Sequence, residues 1–330
     1  MRRLEGKRVL LVAPRFFGYE RDIRNELERR GALVDWLPDR PFDTPLMMAL
    51  TRVKTQWVLP AADRLYRRLL SQIGATHYDT ILVVNGQTLS TKMLRALRSG
   101  FPAAKLVLYM WDSMDNRRGV ASNLPLFDAT YSFDPQSARH YGMRLRPLFF
   151  SKGFERPPHD DLKYNLSFVG TAHTDRYSVV SQLRRALPPG LCSYWYLFLQ
   201  APWVYYAYRI SNPAMRQARR DEFQFVPLDK PKLQSVFSCS RAIVDIEHPR
   251  QRGLTMRTFE TMGSYKKLIT TNAQVREYDF FNKDNICVVD RAAPRVTNSF
   301  LESPFVPVPS ELYQRYSIEG WVDEVLELAD

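Results

Sequence analysis

Short apolar runs alternate along the chain with longer stretches of helical periodicity. Arg8-Val9-Leu10-Leu11-Val12-Ala13 is a continuous apolar run, the pattern of a strand buried on both faces. Residues 18–30 follow with apolar positions at Ile23 and Leu27, and Gly31 is placed to stop a helix. Residues 32–37 read as a second strand. Residues 46–73 read as a helix with a basic face (Arg52, Lys54, Arg64, Arg67, Arg68). Strands are predicted at 80–84, 105–110 and 129–133, and helices at 88–98 and 135–141. Such alternation with short links points to a doubly wound parallel sheet.

Residues 151–161 are polar and turn-rich, as in a linker. Beyond them the alternation restarts. Strands are expected at 166–169, 191–197, 242–246, 267–271 and 286–289. Helices are expected at 175–187, 202–220, 230–237, 254–262 and 318–328. The fold class is therefore α/β, with two Rossmann-like doubly wound domains. The first covers residues 1–155 and the second 162–310. A C-terminal helical segment, 311–330, returns to the first domain.

Composition adds two constraints. Of 330 residues, 45% are hydrophobic and 25% charged, the ordinary globular balance, which excludes a disordered chain. The net charge is +12, and it is uneven: residues 1–150 hold 24 Lys+Arg against 14 Asp+Glu, residues 151–330 hold 23 against 21. A basic half joined to a near-neutral half implies an anion or an anionic surface as partner. Cys192, Cys239 and Cys287 are too few and scattered for a disulfide framework or a thiolate zinc site, and are expected as buried free thiols. The apolar run after the basic N-terminus stops at Pro14-Arg15, too short for a signal sequence, so a reducing, cytoplasmic location is expected. Residues 191–208 come nearest to a membrane span, but Gln200 and Pro202 interrupt them, and Tyr and Trp dominate. Two readings stand for Trp195, Trp203, Tyr205, Tyr206 and Tyr208: an aromatic core helix, or contact with a bilayer.

Ligands of open parallel sheets bind beyond the carboxyl ends of the strands. After the first strand there is neither G-x-G-x-x-G nor a P-loop, which argues against a dinucleotide dehydrogenase and a P-loop NTPase. After the fourth come Asp112 and Asp115, where a carboxylate serves either as a general base or as an Asx-turn cap. The first strand of the second half runs into Gly170-Thr171-Ala172-His173-Thr174-Asp175-Arg176. Glycine lets backbone approach a ligand, the helix start favours a phosphate, and Arg176 suits a diphosphate. The plainer reading is that Thr174 or Asp175 caps the helix.

The densest cluster runs from Asp245 to Glu260. It brings His248, Gln251, Gly253, Arg257 and Glu260 to a strand end and the helix after it. Arg257 and Glu260, three apart, share a helix face that is otherwise apolar, so the pair needs a reason to be there. Asp245 and Glu247 imitate a metal-binding D-x-D element without a third carboxylate nearby, and His77, His140 and His159 lack ligand spacing. No metal site and no cofactor are expected. No G-x-S-x-G elbow occurs.

The block Gly253-Leu254-Thr255-Met256-Arg257-Thr258-Phe259-Glu260-Thr261-Met262-Gly263, with Lys266-Lys267-Leu268-Ile269-Thr270-Thr271-Asn272, resembles the donor segment of GT-B glycosyltransferases. The nearest likeness is to the CgeB-like (spore-maturation-protein-like) group of bacterial polysaccharide-biosynthesis enzymes. Tyr109-Met110-Trp111-Asp112-Ser113, Phe133-Asp134 with Tyr141, and Phe168-Val169-Gly170-Thr171-Ala172-His173 are similar to that group as well. The resemblance implies two Rossmann-like domains facing across a cleft, with a nucleotide-sugar donor on the second and a glycan or lipid-linked acceptor on the first. It places Glu260 at the donor ribose and Gly170 and Arg176 near the diphosphate. Thr171, His248, Gln251, Gly253, Leu254, Thr255 and Arg257 fall in the same donor site. The family generally works without a metal. Arg252 stands where many relatives carry the first Glu of a Glu-x7-Glu pair, which puts retaining chemistry through that motif in question. Asp112 is the expected catalytic base, with His173 the alternative.

A non-catalytic GT-B-like scaffold that binds a nucleotide or glycan is the competing reading. Nucleic acid is not an expected partner, because no helix-turn-helix, RNP stretch or zinc finger occurs. A few arginines suffice for a donor diphosphate. The surplus charge of the first half then reads as contact with a lipid-diphosphate acceptor or an anionic membrane surface, or as a solvated basic face. A peripheral position on the inner face of the membrane would follow from the first of these.

Overall fold

Runs of apolar residues too short for helices pair edge to edge into two six-stranded sheets, both wholly parallel. The computed structural model describes residues 4–40, 42, 55–75, 77–155 and 162–328. It divides into two units, Met1–Leu148 with Ile318–Asp330, and Phe149–Ser317.

In the first unit the strands are β1 (Arg8–Ala13), β2 (Leu33–Pro38), β3 (Thr80–Val84), β4 (Lys105–Met110), β5 (Ala129–Ser132) and β6 (Arg144–Leu145), in the order β2-β1-β3-β4-β5-β6. Leu10 to Ala13, Ile81 to Val84 and Leu106 to Met110 are completely buried, as a sheet covered on both faces requires. The covering helices are α1 (Tyr19–Arg29), α2 (Leu59–Ile73), α3 (Thr91–Gly100) and α4 (Pro135–Tyr141). Their ends are set locally. Ser90 accepts the Met93 N–H at the start of α3, Asp134 accepts from Gln136 and Ser137 at the start of α4, and Gly142, at φ 64°, ends it.

The second unit repeats the plan with β7 (Tyr164–Thr171), β8 (Ser193–Phe198), β9 (Phe223–Gln224), β10 (Ser240–Asp245), β11 (Lys267–Thr270) and β12 (Ile286–Val288), in the order β12-β11-β10-β7-β8-β9. Its helices are α5 (Arg176–Ala186), α6 (Pro202–Ser211), α7 (Lys230–Ser238), α8 (Met256–Gly263), α9 (Asn298–Glu302) and α10 (Ser310–Arg315). Strand order reverses between β1 and β3 and between β7 and β10. Each reversal opens a crevice at the carboxyl edge, where such sheets take ligands. The expected pair of Rossmann-like halves is present.

The final helix, α11 (Ile318–Val325), belongs to the first unit. Trp321, Val322 and Val325 are fully buried, and the Trp321 ring meets Tyr109 edge-on at 4.8 Å. Polar contacts surround this apolar stripe. Arg30 pairs with Glu26 at 2.7 Å and with Asp323, and donates to the Glu319 carbonyl at 2.8 Å. Glu327 receives Lys105 and Arg144.

Several expectations change. Helix 202–220 stops at Ser211, because Pro213 cannot continue it and Asn212 turns to cap a short 3₁₀ turn. Helix 254–262 begins only at Met256, and helix 318–328 ends at Val325. Of the helix expected over 46–73, the described part is α2 and a 3₁₀ turn at Thr55–Trp57; residues 46–54 lie outside the described residues. The start of the expected linker is packed chain: Phe154 is buried against Phe237, at 5.5 Å, in the second unit, while 156–161 lie outside the described residues. The three cysteines are free but not buried. Cys192 is exposed and Cys239 half-buried, each just before a strand rather than within it, and Cys287 is half-buried within β12, the edge strand of its sheet. Among the described residues no helix is long and apolar enough to cross a membrane.

Trp321→Ala removes the largest fully buried side chain from the core of the first unit. The expected loss is about 3–5 kcal/mol. Calorimetry checks it: the transition of the first unit shifts down and that of the second stays.

Candidate functional site

The crevice at the β7/β10 reversal is built from residues that leave the carboxyl ends of β7, β10, β11 and β12. Gly170 keeps backbone bare at the end of β7, where a Cβ would stand 2.9 Å from the Phe168 ring. Thr171 ends the strand. Then Thr174, in the left-handed region at φ 57°, turns the chain into α5. Asp175 precedes α5 but makes no side-chain capping bond. Its carboxylate instead accepts from Arg291 Nε at 2.7 Å.

Arg291 follows β12 and was not singled out by the sequence. Its guanidinium spans Asp175, the Glu247 carboxylate, and the Glu247 carbonyl at 2.5 Å. Glu247 is buried, and also accepts the Thr271 hydroxyl at 2.5 Å. Asp245, at the end of β10, accepts Thr255 Oγ1 at 2.6 Å and Thr258 Oγ1 at 2.9 Å, so its carboxylate anchors the start of α8. The strand ends at Asp245, so Asp245 and Glu247 do not flank an in-strand Ile246 as a D-x-D pair. Among the described residues no group of three or more His, Cys, Asp or Glu is placed to hold a metal.

Two more arginines crowd the same edge. Arg176 donates to the Ile246 carbonyl at 2.6 Å and to the Thr171 carbonyl at 3.4 Å. Burial lowers its pKa, and Arg257 and Arg291 push in the same direction, against the pull of Asp245 and Glu247. Arg257 bridges from the Val169 carbonyl, 3.1 Å, to Glu260, 2.9 Å, and lies over the Phe237 ring at 5.0 Å. Glu260 is only 1% exposed, which answers why a polar pair occupies an apolar helix: it is tied to the end of β7 through Arg257. Gly253 and Leu254 are buried in the turn before α8, and Gln251 Nε2 donates to the Gly253 carbonyl at 2.9 Å.

His173 and His248 face each other with ring centroids 6.0 Å apart. His248 Nδ1 accepts the Arg250 N–H at 3.2 Å. Burial, then the charge of Arg176, lowers the His173 pKa to about 4. At neutral pH this imidazole is uncharged and has little affinity for a further proton, which suits a hydrogen-bonding role better than general base catalysis.

The carboxyl edge of the first sheet carries a different set. Asp112, half-buried, receives Arg117 at 2.7 Å. Asn85, at φ 68°, accepts the Trp111 N–H at 3.1 Å, and Trp111 lies 6.0 Å from the exposed ring of Phe16. Asp39, just past β2, is 1% exposed, and its Oδ1 has no hydrogen-bond partner among the described residues. Desolvation raises its pKa to about 6, against the pull of Arg40, backbone N–H groups and Arg117. Sequence reading passed over Asp39, although the strand-end rule that selected Asp112 applies to it equally.

Known structures share this architecture. HepE from Anabaena, solved with UDP and glucose, superposes with a TM-score of 0.62 at 12% identity over 97% of this chain and 98% of its own. A glycosyltransferase from Rickettsia africae gives 0.54 at 11% over 98% and 99%, and AviGT4, a glycosyltransferase of avilamycin A biosynthesis, 0.52 at 10% over 97% and 96%. No protein-family model matches the chain, and no curated protein matches it. At these identities the likeness shows the fold: two Rossmann-like α/β domains.

By proton NMR, the His173 imidazole signals should hold their neutral-form positions from pH 8 down to about pH 5 and move only nearer pH 4. Arg176→Gln removes a neighbouring positive charge and should shift that midpoint upward.

Proposed function

We propose that this chain is a GT-B glycosyltransferase of the CgeB-like kind. It transfers a sugar from a nucleotide-sugar donor to a glycan or lipid-linked acceptor in bacterial surface polysaccharide or related glycoconjugate synthesis. The observation that carries the reading is the crowding of Arg176, Arg257 and Arg291 at the β7/β10 reversal beside the start of α5. All three are half-buried and held by carbonyls and carboxylates of the chain itself, partners that an incoming anion can exchange with. A nucleoside diphosphate is an anion of the right charge and reach for that exchange. HepE, of the same fold, has been solved with UDP and glucose and with UDP-glucose, which supports a donor of that class.

In this reading the diphosphate lies over bare backbone at Gly170 and Thr171, against the first turn of α5. Arg291 is the movable cation. It leaves Asp175 for the phosphates while Glu247 keeps hold of its other edge. Glu260 accepts the ribose hydroxyls, with Arg257 turning between that carboxylate and the donor. Charge on the departing diphosphate is offset by arginines and a helix start, so no divalent cation is required. His248, Gln251 and Thr255 shape the turn before α8 around the donor, and neutral His173 donates or accepts a hydrogen bond at the sugar. In the first unit Asp112 takes the proton from the acceptor hydroxyl as it attacks the anomeric carbon and the diphosphate leaves. The basic first half offers an anionic acceptor its counter-charge.

A thermal-shift screen of nucleoside diphosphates followed by donor turnover tests the reading. Stabilisation by one of them, and sugar release or transfer unaffected by EDTA, are the expected results. Binding without turnover would instead favour a scaffold. Glu260→Ala should raise the donor KM by about 10–100-fold, the value of a lost charge-assisted hydrogen bond, with a smaller change in kcat. Asp112→Asn should lower kcat by about 100-fold or more and leave donor KM near its original value. Near-normal turnover of a folded Asp112→Asn protein would remove Asp112 from the mechanism.

A further inference from the structure

Helix α6, Pro-Trp-Val-Tyr-Tyr-Ala-Tyr-Arg-Ile-Ser, is divided lengthwise. Val204 and Tyr205 are buried, and the Tyr205 hydroxyl donates to the Ala218 carbonyl at 2.8 Å. Trp203, Tyr206 and Ile210, spaced three and four apart, form the opposite face and are 70%, 54% and 82% exposed. Three large apolar side chains on one short exposed face call for a partner.

The surroundings identify its chemistry. Arg209 flanks that face and lies over the Tyr205 ring at 5.9 Å. Beyond it opens a pocket of about 1020 Å³, lined by Tyr205, Arg209, Arg216, Arg219, Arg220 and Phe225 among others. The acidic side chain in its lining, Asp221, is taken by Arg219. Arg220 lies over the Phe225 ring at 5.4 Å, and Arg216 is exposed. Val226, next along the chain from Phe225, is 72% exposed. Trp and Tyr with an aliphatic tip, rimmed by arginines, match the interface of an anionic bilayer: aromatic rings at headgroup level, Ile among the acyl chains, guanidinium groups on lipid phosphates. A second copy docking through the same patch fits badly, because a twofold contact would set these arginines against themselves.

We propose that α6 and the adjoining arginine-lined pocket form a docking surface for anionic phospholipid on the second unit. α6 seats Trp203, Tyr206 and Ile210 in the interface while Arg209, Arg216 and Arg220 take the headgroup phosphates. The surface is argued without the donor site, and its failure leaves the reading of that site untouched.

Flotation of the full chain with vesicles of phosphatidylcholine, alone or mixed with phosphatidylglycerol, tests the proposal. The chain is expected to float with the mixed vesicles, and less so as salt rises. Trp203→Ser/Tyr206→Ser/Ile210→Ser changes only exposed positions, keeps the melting temperature, and should weaken vesicle binding at least tenfold. Arg209→Gln/Arg216→Gln/Arg220→Gln, which leaves the Arg219–Asp221 pair in place, should abolish the preference for phosphatidylglycerol. A control, Arg64→Gln/Arg67→Gln/Arg68→Gln, neutralises exposed arginines of α2 in the first unit and should leave most binding intact. The proposal is overturned if the chain ignores mixed vesicles at low salt, if either α6-region variant binds like the parent, or if the α2 variant alone loses binding. It fails equally if sedimentation shows self-association that the α6 variant abolishes while vesicle binding persists.

Discussion

A parallel sheet covered on both faces leaves its polar chemistry one place to go. The interiors of β1, β3, β4 and β10 hold almost nothing but aliphatic and aromatic side chains, because an unpaired polar group there would lose its water and gain no partner. Charge therefore collects where the strands end. In the first unit that edge carries Asp39, Asn85 and Asp112. In the second it carries Arg176, Asp245, Glu247, Thr271 and Arg291. Those of the second unit are partly or fully withdrawn from solvent and held by specific neighbours: Arg176 by the Ile246 carbonyl, Asp245 by two threonines, Glu247 by Arg291. The fold thus concentrates strong, exchangeable polar contacts at the two strand-order reversals.

The same constraint explains what the sequence made legible. Runs such as Arg8–Ala13 and Lys105–Met110 are long and apolar enough to be read directly, and so the two-sheet plan could be. Two-residue strands could not. Both residues of Arg144–Leu145 are exposed, and Phe223–Gln224 has one buried residue, too little pattern to distinguish from loop. Pro213 carried the signal that ended α6, yet aromatic periodicity before it masked the break. Within the site, residues close in sequence were found together: Gly170 to Arg176, and His248 to Glu260. Arg291 escaped because its partners Glu247 and Asp175 lie 44 and 116 positions away, joined only by the order of strands in the sheet. For the same reason the reach of Arg257 to the Val169 carbonyl, 88 positions back, was invisible, although the burial of Glu260 followed from its apolar neighbours.

Net charge by halves also proves a blunt instrument. The second half balances 23 basic residues against 21 acidic ones, yet its arginines fall into unlike environments. Arg176, Arg257 and Arg291 are drawn inward, onto carbonyls and carboxylates. Arg209, Arg216, Arg219 and Arg220 project around an open pocket beside a helix with three exposed apolar side chains. A sum near zero conceals both. Conversely, part of the surplus in the first half is internally committed: Arg30, Lys105 and Arg144 hold α11 and the turn after it through Asp323 and Glu327.

The position of α11 sets an order of assembly. The first unit begins at the start of the chain, but Trp321, Val322 and Val325 complete its core, and Arg30 meets Asp323 across 293 positions. All of Phe149–Ser317 is synthesised between those partners. The first unit, though begun earlier, cannot fill the apolar groove that takes Trp321 until the whole of the second unit has been made. The usual head start of an N-terminal domain is lost here, and until Trp321 arrives the unfilled groove is the surface that chaperones would guard.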